Sequence, residues 1–316
     1  MGGGGGGVEL LTRWAARRYG RLVLAGGLST FLMLNLTLHA GAGLHYYCST
    51  ECLEGVLAAP LTSLDRDVIL HIKERWLDPP APRGAYKPSF PLDQPPWASL
   101  GSWGEAYKFI NDYFKQYKRP GNFVEIGAQD GEFMSLTLYL EQVMGFRGLL
   151  VEPNPRDYAA LRAKQRASTS INACATPKIS HRKDTLWLRH VPDNLPPLLS
   201  RMQAGSNRLL QYVAKEDRDL GQTVEVQCFN AGALAVAALR SVLVDLLVIS
   251  THGGEMDILK YIPLSVKLRM VVVVVPLATT EEREAFNELA SHRGLVQAFD
   301  KYNIHILVPK EEVKIV

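Results

Sequence analysis

Residues 123–132 read Phe-Val-Glu-Ile-Gly-Ala-Gln-Asp-Gly-Glu, and this stretch decides the fold. Its first four residues are typical of a buried strand that carries one acidic side chain, Glu125. Gly127 and Gly131 then predict a tight turn that leads into a helix, since glycine lets a backbone come close to a ligand. Glu125 is suited to pair with a cationic amino group there. Asp130 either faces the same ligand or caps the following helix through backbone amides.

A second acidic residue ends the next apolar run, Leu149-Leu150-Val151-Glu152, which Pro153-Asn154-Pro155 follows. About 20 residues separate the glycine turn from such an acid in nucleotide-binding folds, where the carboxylate grips the ribose hydroxyls. We therefore expect Glu125 and Glu152 to lie at the tips of adjacent strands and to frame one nucleoside-sized hollow.

Short apolar runs alternate with helical segments from there to the end of the chain, a pattern typical of a parallel sheet with crossover helices. The predicted strands are 122–127, 148–152, 170–174, 245–250, 270–275, 295–300 and 303–309. The predicted helices are 102–117, 134–143, 155–166, 233–239, 255–261 and 281–293. Seven main strands that end in an antiparallel hairpin predict a Rossmann-like methyltransferase sheet, because a plain doubly wound fold would lack the hairpin.

An insertion interrupts this pattern between the third and fourth main strands. Segments 185–190 and 223–229 are predicted strands around a polar, mobile loop at 192–221. Cys174 and Cys228 fall at strand ends, where they either form a disulfide or remain two buried thiols. The sequence leaves open whether the loop closes over the hollow or binds a partner.

The N-terminal part predicts a membrane anchor. Residues 22–42 carry no charge, and at 1.5 Å per residue a helix of this length spans roughly 30 Å, about one hydrocarbon core. Arg13, Arg17, Arg18 and Arg21 precede it, so residues 1–21 are expected in the cytosol and the rest in the lumen, a type II arrangement. A cleaved signal peptide ending near 40–42 and a buried soluble helix are the alternatives.

Residues 43–100 are expected to form a lumenal stem between the anchor and a domain at 101–316. A helix is predicted at 61–76, and the seven prolines within 78–96 favour extended chain. Cys48 and Cys52 are suited to a local disulfide or to palmitoylation, and no second Cys/His pair follows at zinc-binding spacing. We predict no metal. With a net charge of +3 and no basic stripe interleaved with aromatic residues, nucleic acid is not expected as a partner.

The motifs at 124–133, 145–155, 171–174 and 244–262 together resemble the FkbM-type methyltransferase family. The resemblance implies S-adenosylmethionine as cofactor, with Glu125, Gly127, Asp130 and Gly131 in its loop and Glu152 on its ribose. With the anchor and the proline-rich stem, the chain resembles the arthropod Star-like group within that superfamily. Those are single-pass type II proteins of the secretory pathway, and the resemblance implies a transmembrane growth-factor-type cargo moving from endoplasmic reticulum to Golgi.

One motif departs from the family pattern. After the fourth main strand the family carries Asp-x-Glu-Gly, whereas this chain has Ser250-Thr251-His252-Gly253. His252 is the candidate base, since an imidazole titrates near neutral pH. The loss of both carboxylates favours a membrane adaptor with a degenerate catalytic motif. An active O-methyltransferase for a sugar or small hydroxylated acceptor is the alternative.

Overall fold

The computed structural model describes residues 63–315, with the exception of 89 and 118, and these residues belong to one compact unit. The predicted anchor, the cytosolic tail, Cys48 and Cys52 lie outside the described residues. Within the described range, no helix is long and apolar enough to cross a membrane.

The helices and strands follow one another along the chain in an alternating order. The helices are α1 (Arg66–His71), α2 (Trp103–Lys115), α3 (Leu138–Gln142), α4 (Pro155–Lys164), α5 (Pro197–Ala204), α6 (Ala231–Leu239), α7 (Glu255–Tyr261) and α8 (Thr280–His292). The strands are β1 (Asn122–Ile126), β2 (Arg147–Val151), β3 (Thr169–Ile171), β4 (Cys174–Ala175), β5 (Arg182–Arg189), β6 (Arg208–Leu209), β7 (Gly221–Phe229), β8 (Leu243–Ile249), β9 (Lys267–Val274), β10 (Leu295–Lys301) and β11 (Ile304–Pro309). A π-helical turn, Ile72–Trp76, continues α1, and 3-10 turns cover Leu210–Tyr212, Lys215–Leu220 and Lys310–Ile315.

Seven strands form the main sheet in the order β10-β11-β9-β8-β1-β2-β3. Strands β9, β8, β1, β2 and β3 run parallel, and the β10–β11 hairpin joins β9 in antiparallel fashion. The predicted sheet with its terminal hairpin is therefore confirmed.

Helices cover both faces of this sheet, because alternate residues of each buried strand point to opposite sides. Val124 and Ile126 pack in one core with α6, α7 and α8, whereas Phe123 packs in the other core with α2 and α3. Strands β1 and β2 are consequently apolar on both faces apart from their first residues and Glu125, and Glu152 follows directly after β2.

The insertion is folded, and its segment 192–221, predicted as a loop, contains a helix, a short strand and two 3-10 turns. It forms a second sheet in the order β4-β7-β5-β6, together with α5 and two 3-10 turns. The predicted third strand is divided between the two sheets: β3 stays in the main sheet, and β4 pairs with β7. The insertion therefore grows out of the carboxyl edge of the main sheet.

The stem prediction is wrong for its described part, which packs on the domain. Val68 and Ile72 are buried in the core beneath α6, and Asp78 forms an antiparallel bridge to Ser170 of β3. Trp97 is also buried, edge-on to Phe133. Burial of these large apolar side chains lowers the free energy of the folded chain, whereas a solvated spacer would leave them in water.

Ile72→Ala tests this packing. Ile72 has no exposed surface, so its truncation should lower the free energy of unfolding by about 2–4 kcal/mol through lost burial and a residual cavity. The measurement is urea denaturation of the full chain. Ile179→Ala is the matched control, because 65% of Ile179 is exposed and its truncation should change little. Equal effects of the two substitutions would contradict the packing of this segment into the domain.

Candidate functional site

The turn after β1 is held in a conformation that few residue types adopt. Gly127 has φ +83°, and a Cβ there would lie 1.9 Å from the carbonyl oxygen of Ser250, so only glycine fits. Gln129 (φ 48°) and Met134 (φ 55°) are non-glycine residues in the left-handed region. Such positions cost free energy and persist where the surroundings fix them. The predicted helix at 134–143 starts four residues late, at Leu138, because Met134 is left-handed and the next three residues donate hydrogen bonds to Glu125.

Glu125 is bound by its own loop. Its carboxylate accepts hydrogen bonds from Ser135 Oγ (2.8 Å), the Leu136 amide (3.0 Å) and Thr137 Oγ1 (2.6 Å). Burial raises the pKa of Glu125, and the nearby Arg166 guanidinium works against that rise. Both oxygens therefore hold the β1–α3 loop in place.

Arg166 is a buried charge that the sequence analysis did not single out. It pairs with Glu141 at 2.8 Å, with both side chains almost fully buried, and also donates to the carbonyl of Gly131. Although burial opposes the charge on Glu141, Arg166 lowers the pKa of that carboxyl. The acidic Glu141 among the mainly apolar residues of α3 was the one sequence signal for this pair.

Glu152 ends β2 beside the same turn. One carboxylate oxygen accepts from the Gln129 amide (2.7 Å) and the other from the Asn154 amide (2.9 Å). Burial raises the pKa of Glu152 to about 8, more than these two hydrogen bonds lower it. Glu152 thus ties the end of β2 to the turn after β1.

Asp130 closes the turn in the way a helix cap does. Its Oδ1 accepts from the amides of Glu132 (3.0 Å) and Phe133 (2.8 Å), and its Oδ2 pairs with Arg201 of α5. The Arg201 guanidinium also lies over the Phe133 ring, 4.6 Å from its centre. The alternative that Asp130 caps local amides therefore describes its observed contacts, and Arg201 adds a link to the insertion.

The insertion covers the edge where a nucleoside would lie. A Cβ on Gly205 would lie 2.6 Å from the side-chain amide of Gln129. A Cβ on Gly253 would lie at the same distance from the side chain of Tyr212. The cavity left beside Glu152 measures about 40 Å³. Drug-sized ligands occupy roughly 300–1,000 Å³, and one water takes up about 30 Å³. The cavity beside Glu152 is therefore too small for the nucleoside of S-adenosylmethionine while the insertion is in this position.

A second cavity, of about 310 Å³, lies on the other side of the turn and is lined by Glu125, Gln129 and Ser250. Glu125 and Glu152 are on adjacent strands as predicted, since Glu125 pairs in register with Leu150. They line different cavities, however: Glu152 lines the smaller one and Glu125 the larger one, whereas Gly127 and Gln129 of the turn line both. The prediction of a single nucleoside-sized hollow is wrong.

The loop after β8 holds His252 in the left-handed region, at φ 56°. The His252 side chain is exposed in the cleft formed by the two cavities. The surrounding protein reduces the hydration of the imidazole, and this effect, followed by the charge of Arg208, lowers its pKa to about 4. A base this weak removes protons poorly at neutral pH. Glu255 accepts from the amides of Thr251 (3.0 Å) and Gly253 (2.9 Å), so this carboxylate also holds a loop.

Cys174 and Cys228 form a disulfide, which resolves the two alternatives left by the sequence. It joins β4 to β7 in register and so fixes the base of the insertion. Among the described residues, no cluster of His, Cys, Asp or Glu is arranged to hold a metal ion.

The strand order, the terminal hairpin and the acidic residues at the ends of β1 and β2 define a methyltransferase-like α/β domain. No protein-family model and no curated protein matches the chain. The resemblance to FkbM-type and Star-like proteins stays a prediction.

Solved structures with similar folds are methyltransferases at low identity. Precorrin-6y C5,15-methyltransferase of Geobacter metallireducens is 12% identical, with 65% of this chain and 86% of that chain covered and a TM-score of 0.31. A TehB-like SAM-dependent methyltransferase of Corynebacterium glutamicum is 10% identical, with 65% and 88% covered and a TM-score of 0.33. Human methyltransferase 10 domain containing protein is 11% identical, with 78% and 95% covered and a TM-score of 0.31. With scores this low, the class of the fold is taken from the strand order.

Glu152→Gln tests the buried carboxyl at the turn. The pKa of Glu152 is raised from 4.5 to about 8 in the folded protein, so the folded state keeps a proton that the unfolded chain releases. The free energy of unfolding should therefore fall as the pH rises through this window, and Glu152→Gln should lack that fall. Denaturation at several pH values measures the difference. The exposed Glu284→Gln serves as control, and parallel pH profiles for Glu152→Gln and wild type would contradict the raised pKa.

Proposed function

We propose that this chain is a single-pass type II membrane protein whose lumenal methyltransferase-like domain binds a partner and catalyses no methyl transfer. As in Star-like proteins, the partner is a membrane-bound ligand of the epidermal growth factor receptor, and the protein assists its export from the endoplasmic reticulum to the Golgi. The single observation that carries the non-catalytic part is the insertion at the carboxyl edge of the sheet, which leaves about 40 Å³ beside Glu152.

The contacts of the acidic residues support this proposal. Glu125, Asp130 and Glu152 all accept hydrogen bonds from their own loops, and Asp130 also pairs with Arg201 of the insertion. A nucleoside would have to displace the insertion and compete for these acceptors. Desolvating and unpairing buried polar groups carries a large cost in free energy.

The loop after β8 supports it as well. Methyl transfer to a hydroxyl requires a group that removes the proton, and Ser250 with the weakly basic His252 stands where the family has two carboxylates. The disulfide between Cys174 and Cys228 favours a secretory compartment, since such bonds persist in oxidising surroundings. The membrane anchor rests on residues 22–42 of the sequence.

Export of the cargo should not depend on the cleft. In cells that lack the chain, co-expression of the full-length protein should raise the fraction of a membrane-bound epidermal-growth-factor-receptor ligand that acquires endoglycosidase H resistance. His252→Ala and Ser250→Ala should support export as well as the wild type, because an adaptor needs no proton transfer at these two side chains.

Two results would contradict this proposal. One is an unchanged resistant fraction with the wild-type chain present. The other is loss of export in either variant at unchanged protein level and unfolding temperature, since that would place the cleft at the centre of the function.

An active S-adenosylmethionine-dependent O-methyltransferase is the second candidate. The cavity of about 310 Å³ lined by Glu125, Gln129 and Ser250 favours it, because this volume lies within the range of small-molecule sites. The acceptor would be a sugar or a small hydroxylated compound. Transfer of a labelled methyl group from S-adenosylmethionine to such a compound by the wild-type chain would establish this candidate over the adaptor.

A further inference from the structure

A large groove lies at the amino edge of the main sheet, opposite the edge that the insertion covers. Its walls include the first residues of β1, β2 and β3, the end of α6 and the proline-rich segment before α2. The volume is about 910 Å³. In open α/β sheets ligands usually bind outside the carboxyl ends of the strands, which is the opposite edge. The groove is therefore separate from the site described above.

Four arginines from four separate segments line the groove: Arg83, Arg119, Arg147 and Arg240. All four are exposed. Arg83 donates to the carbonyl oxygen of Gly145 at 2.7 Å, which fixes its guanidinium at the rim. Within the described part of the chain, no carboxylate forms a salt bridge with any of the four.

The one acidic residue in the lining does not neutralise them. Asp245 pairs with Arg269 and accepts from the Asn122 amide at 2.9 Å, so both its oxygens are engaged. The groove is therefore strongly positive, and like charges brought together from separate segments repel one another unless a counterion is bound.

The backbone contributes to the shape of the groove. Gly148 and Gly121 line its floor, and a Cβ on Gly148 would come within 2.3 Å of the Phe123 ring. Arg240 occupies the left-handed cap position of α6 at φ 52°, a conformation that costs a non-glycine residue free energy. Its side chain adds the fourth positive charge to the lining of the groove.

We propose that this groove binds a small ligand that carries several phosphate or sulfate groups. The planar guanidinium donates two parallel hydrogen bonds to such groups, and arginine is the side chain best matched to them. The volume is that of a small-molecule site. Each phosphate monoester carries a charge of roughly −1.5 to −2, so two or three of them balance four guanidiniums.

Other anionic partners match these features less well. An acidic peptide carries at most one charge per residue, and same-side carboxylates on an extended chain are about 7 Å apart, so it concentrates less charge in one place than a cluster of phosphates does. A flat lipid surface would not enter a recessed site, although a single phosphorylated headgroup would. A soluble ligand and a lipid headgroup would thus share the same chemistry, a cluster of phosphates or sulfates. The proposal does not depend on the proposed export function.

Calorimetry of the full-length chain with inositol hexakisphosphate tests the proposal. The wild type should bind, and the combined variant Arg119→Gln, Arg147→Gln and Arg240→Gln should bind at least about tenfold more weakly, a loss of about 1.4 kcal/mol. Arg218→Gln is the matched control, since Arg218 is an exposed arginine of the insertion outside the groove, and it should leave the affinity unchanged. If the combined variant does not fold, Arg147→Gln alone should weaken binding while the control does not.

Three outcomes would overturn the proposal: no binding by the wild type, equal affinities of the wild-type and combined-variant proteins, or equal weakening by Arg218→Gln. Binding of an oligoglutamate peptide as tight as that of inositol hexakisphosphate, with the same dependence on the three arginines, would also overturn it. A sulfated heparin octasaccharide and vesicles containing a phosphoinositide then distinguish a soluble sulfated ligand from a lipid headgroup, and arginine-dependent binding of either supports the site.

Discussion

The hydrogen bond from the Gln129 backbone amide to the buried carboxyl group of Glu152 is the contact on which the candidate site depends. It fixes a left-handed residue in the turn after β1 and joins that turn to the end of β2. Glu125 and Asp130 complete the arrangement by accepting from the following residues of the same loop. Acidic side chains that the sequence assigns to a cofactor therefore hold the loop through hydrogen bonds to its own groups.

The insertion takes advantage of this fixed loop. The disulfide between Cys174 and Cys228 fixes the base of the insertion, and Arg201 joins its helix to Asp130. Gly205 and Tyr212 then pack directly on the turns after β1 and β8. An enzyme must admit a cofactor at this edge, whereas a binding module gains rigidity when the edge is filled. The methyltransferase-like fold thus supplies a stable scaffold whose surfaces are open to other uses.

The sequence predicted the main sheet well, because a strand buried on both faces leaves a long apolar run such as 270–275 and each run is followed by a helical period. It failed where tertiary contacts decide the structure. Met134 lies in a segment with helical periodicity, yet the bonds to Glu125 hold the chain out of helix until Leu138. The polar residues at 192–221 show no hydrophobic periodicity from which helices or strands could be predicted. The burial of Arg166 depends on its ion pair with Glu141, which is distant in sequence.

The central claim, that the turn after β1 is held by the protein's own carboxylates and not by a cofactor, has a direct measurement. Amide hydrogen exchange at Gln129 should be slow in the full-length chain, because this amide is bonded to a buried acceptor, and S-adenosylhomocysteine should leave the rate unchanged. Fast exchange in the free protein that becomes slow when S-adenosylhomocysteine is added would contradict the account.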